Sequence, residues 1–131
     1  MRLFMLGVAP LVLSFAAHAA PSCDQAASQA AMAQCAAQAY KQADADLNKA
    51  YRAVTARLKD AEGRRDSLVR AQRAWLAFRD AECQFVAGNG GSADAMIGSM
   101  CLESQTRART DALNQYLSCP EGDLACPLPP S

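Results

Sequence analysis

Six cysteines, Cys23, Cys35, Cys83, Cys101, Cys119 and Cys126, are the residues of this chain best able to bond to one another. An even number in a short exported chain reads as a disulfide framework. No C-x-x-C pair occurs among them, which argues against a cysteine-only zinc site. The single histidine is His18, close to the N-terminus. Beyond it no imidazole is left for a Ser/His or Cys/His nucleophilic pair or for a histidine-ligated metal. Asp44, Asp46, Asp80 and Glu82 are the remaining candidates for acid–base chemistry. A glycosidase needs two carboxyl groups held at a set separation across a cleft, which a small set of packed helices rarely provides. The expectation is therefore a protein that is no enzyme and uses no cofactor and no metal.

The compartment follows from the first residues. Met1 and Arg2 give a positive start, Leu3 to Phe15 is an uncharged apolar run, and Ala17-His18-Ala19 is a small-x-small cleavage site. This order is that of a secretory signal peptide. The run is shorter than the ~20 residues of a membrane-spanning helix. Cleavage is expected after Ala19, with Ala20 the near alternative, so residues 1–19 are the signal and His18 leaves with it. Ala20-Pro21-Ser22 before Cys23 is a poor lead-in for lipid attachment. The product is expected to be periplasmic or secreted, with no membrane span after signal removal. Taking 19 residues from 131 leaves a chain the size of one domain. The formal charge of the whole chain is +0, and losing Arg2 makes the product slightly acidic. A near-neutral surface offers nucleic acid or a membrane no electrostatic attraction.

The segments that must position the cysteines are helical throughout. After a short N-terminal tail, 20–27, a helical domain is expected over 28–118, followed by a Pro-rich tail, 119–131, with a small disulfide loop. In the first helix, about 28–59, Tyr40, Ala43, Leu47, Tyr51, Val54 and Leu58 share one face. Glu62-Gly63 is read as the break. In the second, about 64–86, Leu68, Ala71, Trp75, Phe78, Glu82 and Phe85 form the inward stripe. The glycine-rich stretch Gly88-Asn89-Gly90-Gly91-Ser92 ends it. In the third, about 93–117, Met96, Met100, Thr106, Leu113 and Leu117 point inward. Ser92 is its N-cap, and Asp94 sits at the positive end of its dipole. Short connections make neighbours antiparallel. The fold class is all-α: a small antiparallel three-helix bundle, up-down-up, stapled by disulfides.

Helix geometry selects among the cysteine pairings. Folding the third helix back on the second at Gly90 brings Cys83 and Cys101 to one height. Cys119 and Cys126 flank the short loop Pro120 to Ala125, which leaves Cys23 and Cys35. In one continuous helix those two would lie ~18 Å apart, whereas a disulfide needs Cα atoms within ~7 Å. The helix must therefore start near Ser28, with Cys23 looping back.

The blocks Ala43-Asp44-x-x-Leu47-Asn48-x-x-Tyr51, Ala71-Gln72-Arg73-Ala74-Trp75-x-x-Phe78-Arg79-Asp80-Ala81-x-Cys83, Gly90-Gly91-Ser92 and Thr106-x-x-Arg109-Thr110-x-x-Leu113 resemble the lysozyme inhibitor LprI-like family. The likeness runs from about Cys23 to Cys119. It implies a small exported bacterial helical protein, with lysozyme as its partner. The family's namesake is a mycobacterial lipoprotein, whereas this chain has no lipidation site by the reading above. An inhibitor needs no bond-making residue; a rigid projection occluding the saccharide cleft suffices. The projections on offer are the turn Gly88, Asn89, Gly90, Gly91, Ser92 and the loop between Cys119 and Cys126. The alternative is a non-enzymatic structural or adaptor module of the cell envelope, binding another envelope protein.

Within the motif, Trp75 reads as the centre of the second helix's packed face. Arg79 reads as a structural cation paired with Asp44 or Glu82, and Arg73 and Arg109 invite the same reading. Asp80 belongs to this charged group, and Asn48 and Tyr51 are polar tips that could bond a neighbouring helix. Arg57, Lys59, Arg64, Arg65, Arg70 and Arg73 gather near the first turn, interrupted by acids, as a solvated end of the bundle or a surface for an anionic partner.

Overall fold

A computed structural model describes residues 23–129. The segment read as a signal peptide, and residues 20–22 of the tail after it, lie outside this range. A 3-10 turn over Cys23–Gln25 precedes three helices: α1 (Gln29–Arg57), α2 (Glu62–Ala87) and α3 (Asp94–Leu117). The described residues contain no strand. No described helix is long and apolar enough to cross a membrane.

The start of α1 is set by Ser28, whose backbone is extended and whose Oγ accepts the N–H of Ala31 at 3.1 Å. That cap satisfies one of the orphan donors of the first turn. It also frees Cys23 to turn back on Cys35, with Cα atoms 5.6 Å apart. The chain leaves α1 at Leu58 and enters α2 directly at Glu62, so the break lies at 58–61 and not at Glu62-Gly63. Gly63 falls in the first turn of α2, with open space around it, and the carboxylate of Glu62 favours the positive end of the helix.

The start of α3 differs from expectation by one residue. Ala93, not Ser92, is the N-cap, and it has no side-chain cap bond. The N–H of Asp94 bonds Gly91 O at 3.2 Å, a tight turn that delays the helix. The hydroxyl of Ser92 instead accepts from Gln29 Nε2 at 3.3 Å, joining the starts of α1 and α3.

The helices run up, down and up. Asp46 meets Arg107 and Gln29 meets Ser92, so α1 and α3 are parallel. Cys83 meets Cys101 and Gln72 meets Arg109, so α2 is antiparallel to α3. The backbones of α1 and α3 pack closely along their length, which the small Ala36, Ala43 and Ala50 on the buried face of α1 permit. The apolar core is Leu47, Ala50, Val54, Leu58, Leu113 and Leu128, with Tyr51, Leu68, Trp75 and Tyr116 packed against it.

The inward face of α2 keeps only part of the expected stripe, Leu68 and Trp75, which pack against the core. Its buried residues are Gln72, Arg79 and Cys83, while Phe78 is 55% and Phe85 83% exposed. The true face is turned by less than the ~100° of one residue, so it keeps Leu68 and Trp75 and turns Phe78 and Phe85 outward. Polar Gln72 and Arg79 hold it because partners on α1 and α3 satisfy them. Met100 on α3, also expected inside, is exposed for a related reason: α3 buries Thr106 and Leu113.

The C-terminal tail is irregular but packed. Leu128 is 5% exposed and sits in the core. Arg57 Nη2 donates to Pro129 O at 2.9 Å, and Arg64 Nη1 donates to Pro127 O. Two cations expected on a solvated end therefore hold the tail. Replacing Leu128 by Ala is expected to lower stability by about 2 kcal/mol, at the low end for a buried leucine because the site lies at the edge of the core. Urea denaturation followed by circular dichroism measures it, and a loss below about 0.5 kcal/mol would mean that the tail is a bystander.

Candidate functional site

Three places gather the residues singled out in the sequence. The first is a seam where α2 faces α1 and α3. Arg79, 6% exposed, lies at its centre. Its Nε donates to Asp80 Oδ1 at 2.9 Å and Nη2 lies 2.8 Å from the same oxygen. Nη1 lies 3.8 Å from Asp44 Oδ1 and donates to Thr106 Oγ1 at 3.3 Å. The guanidinium also stands over two rings, 5.2 Å from the centroid of Trp75 and 5.5 Å from that of Tyr40. Arg109 lies 6.0 Å from Trp75 and donates to Gln72 Oε1 at 2.9 Å.

The seam brings Asp44, Trp75, Arg79, Asp80 and Arg109 together, and adds Tyr40, Gln72 and Thr106. The carboxylates of Arg79 are Asp44 and its own neighbour Asp80, not Glu82. Arg109 is paired to an amide, not to an acid. Asn48 does not reach a neighbouring helix; its Nδ2 donates to Asp44 Oδ2 within α1 at 3.2 Å. Tyr51 is half-buried against the core, and its carbonyl accepts from Thr55 Oγ1 at 2.7 Å. Asp44 and Asp80 share one guanidinium and act as its counter-ions. Asp46 accepts from Gln42. Every buried side-chain polar atom among the described residues has a partner. No group of three or more described His, Cys, Asp or Glu residues could hold a metal ion.

The second place is the turn from Gly88 to Ser92, exposed at every residue. Gly90 has φ of 75°, a left-handed conformation that suits glycine. Its N–H donates to Asp94 Oδ2 at 2.8 Å. A Cβ at Gly88 would come within 2.8 Å of Gln84 O. The Cys83–Cys101 bond, with Cα atoms 5.5 Å apart, ties the two helices below the turn.

The third is the loop closed by Cys119 and Cys126, whose Cα atoms are 5.8 Å apart. Asp123 N bonds Pro120 O, Cys126 N bonds Asp123 O, and Asp123 Oδ1 accepts from Ala125 N at 2.9 Å. Leu124 at its tip is fully exposed between Asp123 and Ala125. Sequence reasoning gave this loop but not its apolar tip, which no periodicity marks. It also missed an open groove of about 520 Å³ between α1 and α3, lined by Asp46, Lys49, Arg107, Thr110, Asp111 and Asn114 among others.

These features define a class: a small helical scaffold that satisfies its buried polar groups internally and ties its exposed loops with disulfides. Residues 22–113 match the family model described as lysozyme inhibitor LprI, and the chain belongs to that family. An uncharacterised protein of Rhizobium meliloti (strain 1021) is 37% identical over 114 residues, covering 77% of this chain and 82% of that protein. No solved structure matches the chain. The three disulfides and the family are consistent with an extracytoplasmic protein.

Proposed function

We propose that this protein is an exported inhibitor of lysozyme that acts by steric occlusion of the enzyme's saccharide cleft. Membership of the inhibitor family over residues 22–113 is the observation that carries this reading. The turn Gly88–Ser92 lies inside the matched segment and is the inserted element. Its exposure and its restraint at both ends support that role, because a projection ordered before binding loses little entropy on docking. The loop at Cys119–Cys126 lies outside the matched segment and supplies a secondary contact through Leu124.

The test is lysozyme-driven lysis of cell walls, with the oxidised protein titrated against lysozymes of several types. Dose-dependent inhibition is expected. The double variant Asn89→Arg/Gly91→Arg places bulk and charge on the turn, where a Cβ at Gly91 meets only Asp94 Oδ1 at 3.8 Å, without touching the core, a disulfide or the Ser92–Gln29 bond. It should weaken inhibition at least ~10-fold, the loss of about one good interface contact. Leu124→Ala should weaken it less. No inhibition by the oxidised protein at micromolar concentration would sink the proposal and leave the envelope adaptor as the working reading. Unchanged potency of the double variant would remove the turn from the mechanism.

A further inference from the structure

The outer face of α2 carries a pattern that the fold of the single chain uses only at one end, where Ser67 and Ala71 border the groove holding Pro127 and Leu128. Ser67, Ala71, Ala74, Phe78, Ala81 and Phe85 recur at alternating spacings of four and three, and all are exposed. Alternation of three and four is the seam of a coiled coil. It lies on the side of α2 away from Gln72, Arg79 and Cys83, which face the other helices. The helix thus turns Leu68 and Trp75, with the partnered Gln72 and Arg79, toward its own bundle, and leaves a second apolar stripe toward solvent. Phe85, at 83% exposed, is an unusual side chain to leave in water without a partner.

We propose that this seam is covered by α2 of a second copy of the chain, running antiparallel, in a two-fold symmetric dimer. Two observations select that occupant. The first is self-complementarity. Turning the helix end over end about the point midway between Ala74 and Phe78 lays Phe78 on the partner's Ala74, Phe85 on the partner's Ser67, and Ala71 on the partner's Ala81. Each ring then meets a small side chain, so the two ridges interdigitate. Residue i meets j as j meets i, which a two-fold interface requires. Parallel pairing would instead stack each phenylalanine on its own copy and leave gaps between the alanines.

The second observation is charge. The first half of α2 carries Arg64, Arg65, Arg70 and Arg73 against Glu62 and Asp66. The second half carries Asp80 and Glu82, and its one cation, Arg79, is buried. Antiparallel pairing lays the basic half of each helix on the acidic half of the other, and parallel pairing sets like on like. The seam stops at Phe85, so the turn from Gly88 to Ser92 stays uncovered and the proposed inhibitory role is independent of the dimer.

A single two-helix contact falls at the small end of specific interfaces, so a dissociation constant of roughly 10–100 μM is expected. Sedimentation equilibrium of the oxidised protein between about 1 and 500 μM should show monomer and dimer. Phe78→Glu and Phe85→Glu should each weaken the dimer more than ~10-fold. Both rings are exposed, so helical content should be unchanged. Ser67→Phe sets ring against ring at an exposed site and should have the same effect. A nitroxide on Ser67→Cys should report a separation of ~27 Å for antiparallel chains, from a rise of ~1.5 Å per residue. A protein that stays monomeric throughout overturns the proposal, as does a dimer indifferent to all three substitutions. Nitroxides in close contact would show parallel pairing and overturn it too.

Discussion

Reduction of the three disulfides is expected to unfold this protein at neutral pH and room temperature. The core is small: Leu113, Val54 and Thr106 are its largest fully buried side chains, and Ala36, Ala43 and Ala50 fill much of the buried face of α1. The bonds close segments with sequence separations of 12, 18 and 7. Loop entropy assigns about 2–3 kcal/mol to each, or about 8 kcal/mol in all. A domain of this size has about 5–15 kcal/mol of net stability, so the staples account for most of it. The three segments do not overlap and their effects should nearly add. Cys83–Cys101 closes the longest segment and is expected to matter most. Circular dichroism during heating, with and without a thiol reductant, measures the effect: a cooperative melt when oxidised, and little or none when reduced. A reduced sample with an unchanged Tm would show that helix packing alone suffices.

Arg79→Ala is expected to cost about 3 kcal/mol, the largest effect of any single polar substitution in the seam. The acids it leaves are not stranded, because the side chains of Asp44 and Asp80 are 44% and 54% exposed and can rehydrate. The loss therefore falls short of that for an isolated buried ion. It comprises two cation–π contacts, about 0.5–2 kcal/mol each, the bond to Thr106, and the packing of the stem between α2 and α1. Arg79→Lys keeps the charge but not the planar fork that serves Asp80, Asp44 and Thr106 together, and should recover less than half of the loss. Arg79→Met keeps the stem and should fall between Ala and Lys or match Lys. Urea denaturation of the three variants gives the ranking. A cost below about 1 kcal/mol for Arg79→Ala would class the seam with ordinary surface pairing.

The sequence carried the helices and their order because helix-forming segments bounded by Ser28 and by Gly88–Ser92 leave the backbone few other choices, although it set the first break at Glu62-Gly63 and not at 58–61. It carried the cysteine partners because the turn at Gly90 sets Cys83 and Cys101 at one height and a short loop joins Cys119 to Cys126, which leaves Cys23 for Cys35. It misled on α2, where hydrophobicity pointed to Phe78 and Phe85. The buried positions are Gln72 and Arg79, which become tolerable inside only when Arg109, Thr106 and Asp44 arrive from other helices. No local pattern encodes that arrival. The same holds for Leu128, which lies among prolines without periodicity and joins the core through the carbonyls that Arg57 and Arg64 hold. The motif blocks pointed to the seam as a unit. Its loops were legible from glycine and cysteine spacing, but the exposure of Leu124 was not.

The order of the cysteine partners has a consequence for biosynthesis. The bonds join the first cysteine to the second, the third to the fourth and the fifth to the sixth. None is nested in or threaded through another. For a chain exported as proposed, a thiol oxidase that couples cysteines in the order they emerge would therefore produce the native set at once. Each staple can close before the next pair appears, and no bond has to be broken and remade. The pairing order itself calls for an oxidant and sets no task for an isomerase.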